Sequence, residues 1–315
     1  MSESVHDKFS KALLSERENA IDFLQNFLPV EVVSLLDLQT WELEKESFVD
    51  ENLQEQFSDI IYRFQLSGQE VYIYTLLEHK SYPDRFTAFQ VLKYEVALWD
   101  RHLKDHKKAK NLPVVLPLVL YHGKLKWPFG IEFQSLFSTT SILLPYLPQF
   151  RFLLYDLSQY SDSEIRGGVF LRLGLLLLKY IFTPQLSHKV HELLPLVAEI
   201  KEEGKGLKVL GLAIKYLLKG TSKISLDTLR KVVDRIPLKG ASDSMPTIAE
   251  TLERKGLKKG RLLEKKRFDH KSLLRMALSL HQKGADFEFV LKMTELEDVF
   301  LQRFLATAKR LHVVV

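Results

Sequence analysis

An α/β fold is what this sequence of 315 residues predicts: a mixed sheet of about five strands flanked by helices, followed by a helical C-terminal region. Three observations carry that expectation. Two β-rich segments flank the turn-forming Ser67-Gly68-Gln69. Two further apolar runs, Leu112 to Leu120 and Phe150 to Tyr155, have strand length and suit central strands buried on both faces. Beyond about residue 158 the apolar pattern turns helical.

Taken in order, Ser10 to Leu36 carries Leu13, Leu14, Ile21, Phe23, Leu24, Phe27 and Leu28 in an approximate helical stripe, broken at Pro29. Trp41 and Leu43, with Phe48-Val49, suggest a strand. The segments Ser58 to Leu66 and Val71 to Leu77 read as a β-hairpin. Tyr82-Pro83-Asp84 then opens a helix over Asp84 to Leu103, with Phe86, Phe89, Leu92, Val96 and Trp99 as its apolar face. Asp162-Ser163-Glu164 reads as the N-terminus of a leucine-rich helix, and Leu207 to Leu218 as another that ends at Lys219-Gly220. Ser225 or Asp227 is a candidate cap for a helix through Arg235, broken at Pro237, and Leu238 to Pro246 has linker composition.

Composition narrows the function classes. There is no cysteine, which excludes disulfides and thiolate metal sites and disfavours small secreted scaffolds. The N-terminus has neither a basic segment nor an apolar run, so a cytoplasmic protein is expected. Val169 to Phe182 is leucine-rich, yet it runs only 14 residues and contains Arg172 and Lys179. A membrane span needs roughly 20 apolar residues, so a buried helix is expected and no membrane association.

Charge is unevenly placed. The net charge is +5, but Glu250 to Arg275 holds ten Lys or Arg against four acids, leaving the rest slightly negative. A second stretch, Arg101 to Lys126, carries seven basic residues. Either could meet phosphate, and either could equally be a solvated face.

The chemistry-bearing residues sit on the hairpin. With a two-residue loop of Gly68-Gln69, Ser67 faces Glu70 and Asp59 lies directly opposite Glu78. Opposed carboxylates with Cβ atoms ~5 Å apart repel unless a cation lies between them. Lys80, two residues after Glu78, shares its face. Such a set could hold Mg²⁺, activate water at a phosphodiester and stabilise the developing charge. A solvated strand end is the competing interpretation, and a one-residue slip would move Asp59 to the other face. His6, His79, His102 and His122 lack metal-ligand spacing and are expected to be structural.

Asp59, a hairpin and Glu78-His79-Lys80 resemble the PD-(D/E)xK nuclease signature, and Leu77-Glu78-His79-Lys80-Ser81 resembles the block of the recombination-promoting nuclease (Rpn), or YhgA-like putative transposase, family. His6-Asp7-Lys8-Phe9, Ser58-Asp59 and Met245 to Glu250 with the basic segment after it extend the resemblance over nearly the whole chain. Ser58 stands where the signature has proline. The resemblance implies a restriction-endonuclease-like core and magnesium-dependent DNA cleavage, Mn²⁺ being the alternative ion. It also implies little sequence preference and a link to recombination or mobile elements. It makes Asp59 and Glu78 metal ligands and Lys80 the catalytic lysine. Gln90 and Tyr94 resemble the Q-x-x-x-Y motif of RecB-like members and share a helix face, although a surface Gln and a packed Tyr would look the same. Asp7 either approaches the site or caps the first helix.

The implied organisation is a nuclease core over 1–158, a helical extension over 159–240 and a basic helical region over 241–315. A non-catalytic DNA-binding or assembly protein on the same fold is the alternative, since phosphate contacts would serve both. Three-carboxylate transposase chemistry lacks a third acid that stands out. A homodimer is compatible with double-strand cutting, without a residue pattern that requires it.

Overall fold

The structure, a computed structural model, describes residues 5–44, 58–66, 69–78, 83–242, 273–282, 285–294 and 297–310. Two compact units divide the chain, Met1–Met245 and Pro246–Val315.

The first unit opens with helices α1 (Val5–Leu14) and α2 (Arg17–Phe27), so the stripe read as one helix is two, separated well before Pro29. A helical turn, α3 (Val30–Val33), leads to β1 (Asp37–Leu43). Strands β2 (Ser58–Leu66) and β3 (Gln69–Glu78) form the hairpin, and α4 (Thr87–Asp105) crosses to β4 (Val114–Tyr121). Strand β5 (Leu153–Asp156) completes a five-stranded sheet of order β1-β2-β3-β4-β5. The β1–β2 and β2–β3 pairs are antiparallel, whereas β3–β4 and β4–β5 are parallel. Parallel neighbours need a long crossover, which α4 supplies between β3 and β4.

Side chains alternate along each strand, so the sheet has two distinct faces. On one, Ile61, Tyr72, Val119 and Phe152 pack with Ala88, Val91, Tyr94 and Leu98. Of the face read from the sequence, Leu92 packs against this core. Phe86, Phe89 and Val96 point outward, at 58%, 49% and 51% exposure. The periodicity is helical but ambiguous in phase, because α4 carries apolar residues on two sides.

The other face meets α1 and α2, against which α5 (Val169–Tyr180) packs in turn. Here Tyr62 is buried and donates its hydroxyl hydrogen to the Leu14 carbonyl at 2.7 Å. Helix α5 is the leucine-rich segment; it begins after Gly168, not at Asp162. Asp162 is used differently, accepting from Lys179 at 2.7 Å and from the Tyr180 hydroxyl at 2.6 Å. Burial of this carboxylate raises its pKa, but those bonds and the one from Lys189 outweigh it and hold the group at about 2.

Further helices are α6 (Leu186–Leu193), α7 (Glu203–Gly220) and α8 (Leu226–Val233). Ser225 caps α8 by accepting from the Thr228 N–H at 3.0 Å. Among the described residues no helix is long and apolar enough to cross a membrane.

Gly174 lets α5 approach α1: a Cβ there would lie 2.5 Å from a methyl of the fully buried Leu13. Gly174→Val is therefore expected to overpack this contact and cost about 1–3 kcal/mol, read as a lower urea midpoint at unchanged m-value. An unchanged midpoint would mean that the two helices separate freely.

The second unit contains α9 (273–282), α10 (Phe287–Thr294) and α11 (Asp298–Arg310). Ala277, Leu278, Val290, Leu301 and Leu305 form its core. Most of the basic segment 250–275, and Met245 to Glu250, lie outside the described residues.

Candidate active site

The hairpin register differs from the one expected. Leu66 pairs with Gln69, so the loop is Ser67-Gly68 and Asp59 pairs with Leu76 rather than Glu78. The slip is two residues. Because alternation has a period of two, positions 59 and 78 stay on the same face, as diagonal neighbours with Cα atoms ~7–8 Å apart. That face is the one α4 covers, since 59 lies two before Ile61 and 78 six beyond Tyr72. For Asp59 and Glu78 only the backbone is described, and His79 and Lys80 lie outside the described residues.

Glu78 is the last residue of β3 and pairs with Tyr121, the last of β4, which in turn pairs with Asp156, the last of β5. One row across the sheet end therefore carries Glu78, Tyr121 and Asp156. Asp156 is buried and engaged within the fold: its carboxylate accepts from the Trp127 N–H at 2.9 Å, the Ser158 N–H at 3.0 Å and the Gln159 side-chain amide at 3.4 Å. It ties down the segment after β4.

Helix α4 runs back along the sheet, so its first turns lie at the Glu78 end. Its other end is fixed by Trp99, whose indole N–H donates to the Pro113 carbonyl at 2.9 Å, and by Leu98 and His102, which line a cavity with Arg63 and Tyr72. Gln90 and Tyr94 thus fall on the half of α4 nearest Glu78. Tyr94 is buried in the core under α4. The Gln90 side-chain amide donates to Asp84 Oδ2 at 3.2 Å. Asp84, read from the sequence only as the opening of the helix, also accepts from the Phe86 N–H at 2.8 Å.

The basic stretch 101–126 does not form one patch. Lys107 and Lys108 line a cavity of about 840 Å³ with His102, His106 and Asn111, near Val114. Lys124 and Lys126 are exposed beyond Tyr121. The length of β4 separates the two groups, a span of roughly 23 Å at ~3.3 Å per residue step. The large cavity therefore lies at the sheet end away from Glu78.

Asp7 sits within the first turn of α1, inside the helix and buried, instead of preceding it as a cap. The histidines form no metal cage: among the described residues no group of three or more His, Asp or Glu has metal-binding geometry. His6 and His122 do meet, with ring centroids 5.7 Å apart, and His6 shares a 2.9 Å hydrogen bond with the Tyr216 hydroxyl. Burial pushes that hydroxyl well above its ordinary pKa. The group joins α1, α7 and the end of β4.

Comparison with known proteins gives consistent matches. The family model described as "Putative transposase, YhgA-like" matches residues 4–208. The inactive recombination-promoting nuclease-like protein RpnE of Escherichia coli K12 is 29% identical, over 94% of this chain and 95% of that protein. Recombination-promoting nucleases RpnC and RpnA of the same organism are 32% and 30% identical, over 80% and 81% of this chain and 82% and 85% of theirs. No solved structure gives a significant match.

Proposed function

Because the chain belongs to the YhgA-like putative transposase family, we propose that it is a metal-dependent DNA endonuclease, a phosphodiester hydrolase of little sequence preference acting in recombination or on mobile elements. The observation that supports this reading is the β2–β3 register, which leaves Asp59 and Glu78 as same-face neighbours at one sheet end. Relatives named as recombination-promoting nucleases support it independently.

The donor set suits a hard divalent cation. Two carboxylates at diagonal ladder positions offer the oxygen ligands that Mg²⁺ or Mn²⁺ takes alongside waters and phosphate. Asp59 and Glu78 would hold the ion, which when bound supplies Lewis acidity and a water of lowered pKa. Lys80 would stand beside the phosphate and stabilise negative charge as it develops. Gln90 and Tyr94 would line the site from α4. A nuclease core over 1–158, a helical extension over 159–240 and a basic region over 241–315 is the organisation that accompanies this reading.

A second reading has its own support, since RpnE, similar over 94% of this chain, is named inactive. A DNA-binding or assembly protein would keep the basic surfaces without turnover. Supercoiled plasmid separates the two: nicking by the purified full chain with Mg²⁺ or Mn²⁺, abolished by EDTA, is expected of the nuclease. Binding without cleavage under every divalent metal supports the alternative.

The positions of Lys124 and Lys126 add a prediction about the DNA path. Lys124→Ala with Lys126→Ala should lower the slope of log affinity against log salt by on the order of two units, at about 0.9 per lost phosphate contact. Lys107→Ala with Lys108→Ala, at the far end, should leave it nearly unchanged. The reverse pattern would put DNA against the cavity instead.

A further inference from the structure

Gln90 is held from one side only. Its amide NH₂ group faces Asp84 Oδ2 at 3.2 Å, and since a carboxylate only accepts, this orientation of the amide is forced. The amide oxygen then points the other way, and it is buried with no hydrogen-bond partner among the described residues. A buried acceptor left unpaired is costly, so such a group usually serves a donor that the fold itself does not provide. Asp84 is itself well fixed, because its Oδ1 accepts from the Phe86 N–H at 2.8 Å while its carbonyl accepts from the Thr87 hydroxyl at 2.8 Å. This assembly sits in the first turns of α4, at the sheet end where β3 and β4 finish with Glu78 and Tyr121.

We propose that Asp84 is a positioning residue, whose carboxylate locks the Gln90 amide so that its oxygen accepts a hydrogen bond from a water held at the candidate active site. This rests on the nuclease reading for its consequence and on the Asp84–Gln90 geometry for its existence. The water so held keeps one lone pair directed away from Gln90, as a nucleophile must. Only the direction of one amide decides whether an acceptor or a donor faces it.

Asp84→Asn inverts that direction. The substituted side chain keeps an oxygen for the Phe86 N–H, so the start of α4 is preserved, but it presents an NH₂ group to Gln90. The Gln90 amide must then turn over and offer a donor inward. Turnover on plasmid should fall on the order of 10-fold to 100-fold, the effect of one misplaced hydrogen bond, at unchanged DNA affinity and melting temperature. Adding Gln90→Glu restores an acceptor at the inner position, and the double variant should recover to within about threefold of the starting rate. A purely structural role for Asp84 predicts no loss in Asp84→Asn and no such rescue.

A high-resolution crystal structure of the full chain gives the readout that does not depend on cleavage. An ordered water within about 3.2 Å of the Gln90 amide oxygen is expected. A dry position there, full activity in Asp84→Asn, or failure of the double variant to recover would each overturn the proposal. If the wild-type chain cuts nothing while the water is present, the nuclease reading falls and the water site stands.

Discussion

Asp59→Ala and Lys80→Ala are each expected to abolish metal-dependent nicking of supercoiled plasmid, with a loss of at least on the order of 100-fold, while DNA affinity should stay within a few-fold. The magnitude follows from what each group would do. Removing a ligand from a two-carboxylate site leaves Mg²⁺ with too few protein oxygens to be retained. Removing the lysine leaves transition-state charge with one positive partner fewer, in a place where such partners are worth several kcal/mol. The affinity should be spared because phosphate contacts elsewhere would supply most of it. The two variants should differ in one respect: raised Mn²⁺ should partly rescue Asp59→Ala but not Lys80→Ala. Cleavage surviving in both, measured at equal DNA occupancy, would sink the assignment of the site.

The second large effect concerns stability. Glu95 faces inward from α4 at 4% exposure, and burial pushes its pKa up to about 7 from an ordinary 4.5. A carboxyl whose folded pKa is raised costs nothing while protonated in both states, below about pH 4.5. The penalty grows as pH rises and is complete above about pH 7, where the folded protein must hold a desolvated charge. Glu95→Gln removes that charge at similar size. The variant should match the wild type near pH 4.5 and exceed it by about 3 kcal/mol at pH 8, from 1.36 kcal/mol per pKa unit. Urea unfolding followed by tryptophan fluorescence reports this cleanly, because Trp41, Trp99 and Trp127 all lie in the first unit. A stability difference that does not change with pH would mean that Glu95 is not the titrating group.

These two groups show how differently the sequence reveals its contents. Asp59, Glu78 and Lys80 stand out because their spacing on a recognisable hairpin has a chemical meaning. Glu95 does not, since the apolar face of α4 reads as Phe86, Phe89, Leu92, Val96 and Trp99, and a buried carboxylate contradicts any rule of composition. The strands are legible because β4 and β5 are continuous apolar runs and the hairpin is bounded by turn residues. Its register is not, because Ser67-Gly68 and Gly68-Gln69 are both acceptable two-residue loops. The start of α5 is misplaced because Asp162 has capping chemistry but is recruited by Lys179, Tyr180 and Lys189 from later in the chain. The Asp84–Gln90 pair needs the helix start in three dimensions before its direction has meaning.

The period-two alternation of the hairpin also bears on how such a site tolerates change over evolutionary time. A β3 strand that slides past β2 in even steps keeps every core residue inside and every acid on its own face, altering only the span between Asp59 and Glu78. A single-residue deletion within either strand would instead turn part of the core outward and separate the acids across the sheet. Length variation within these two strands should therefore come in pairs, and an odd change should mark a lineage that has abandoned the chemistry.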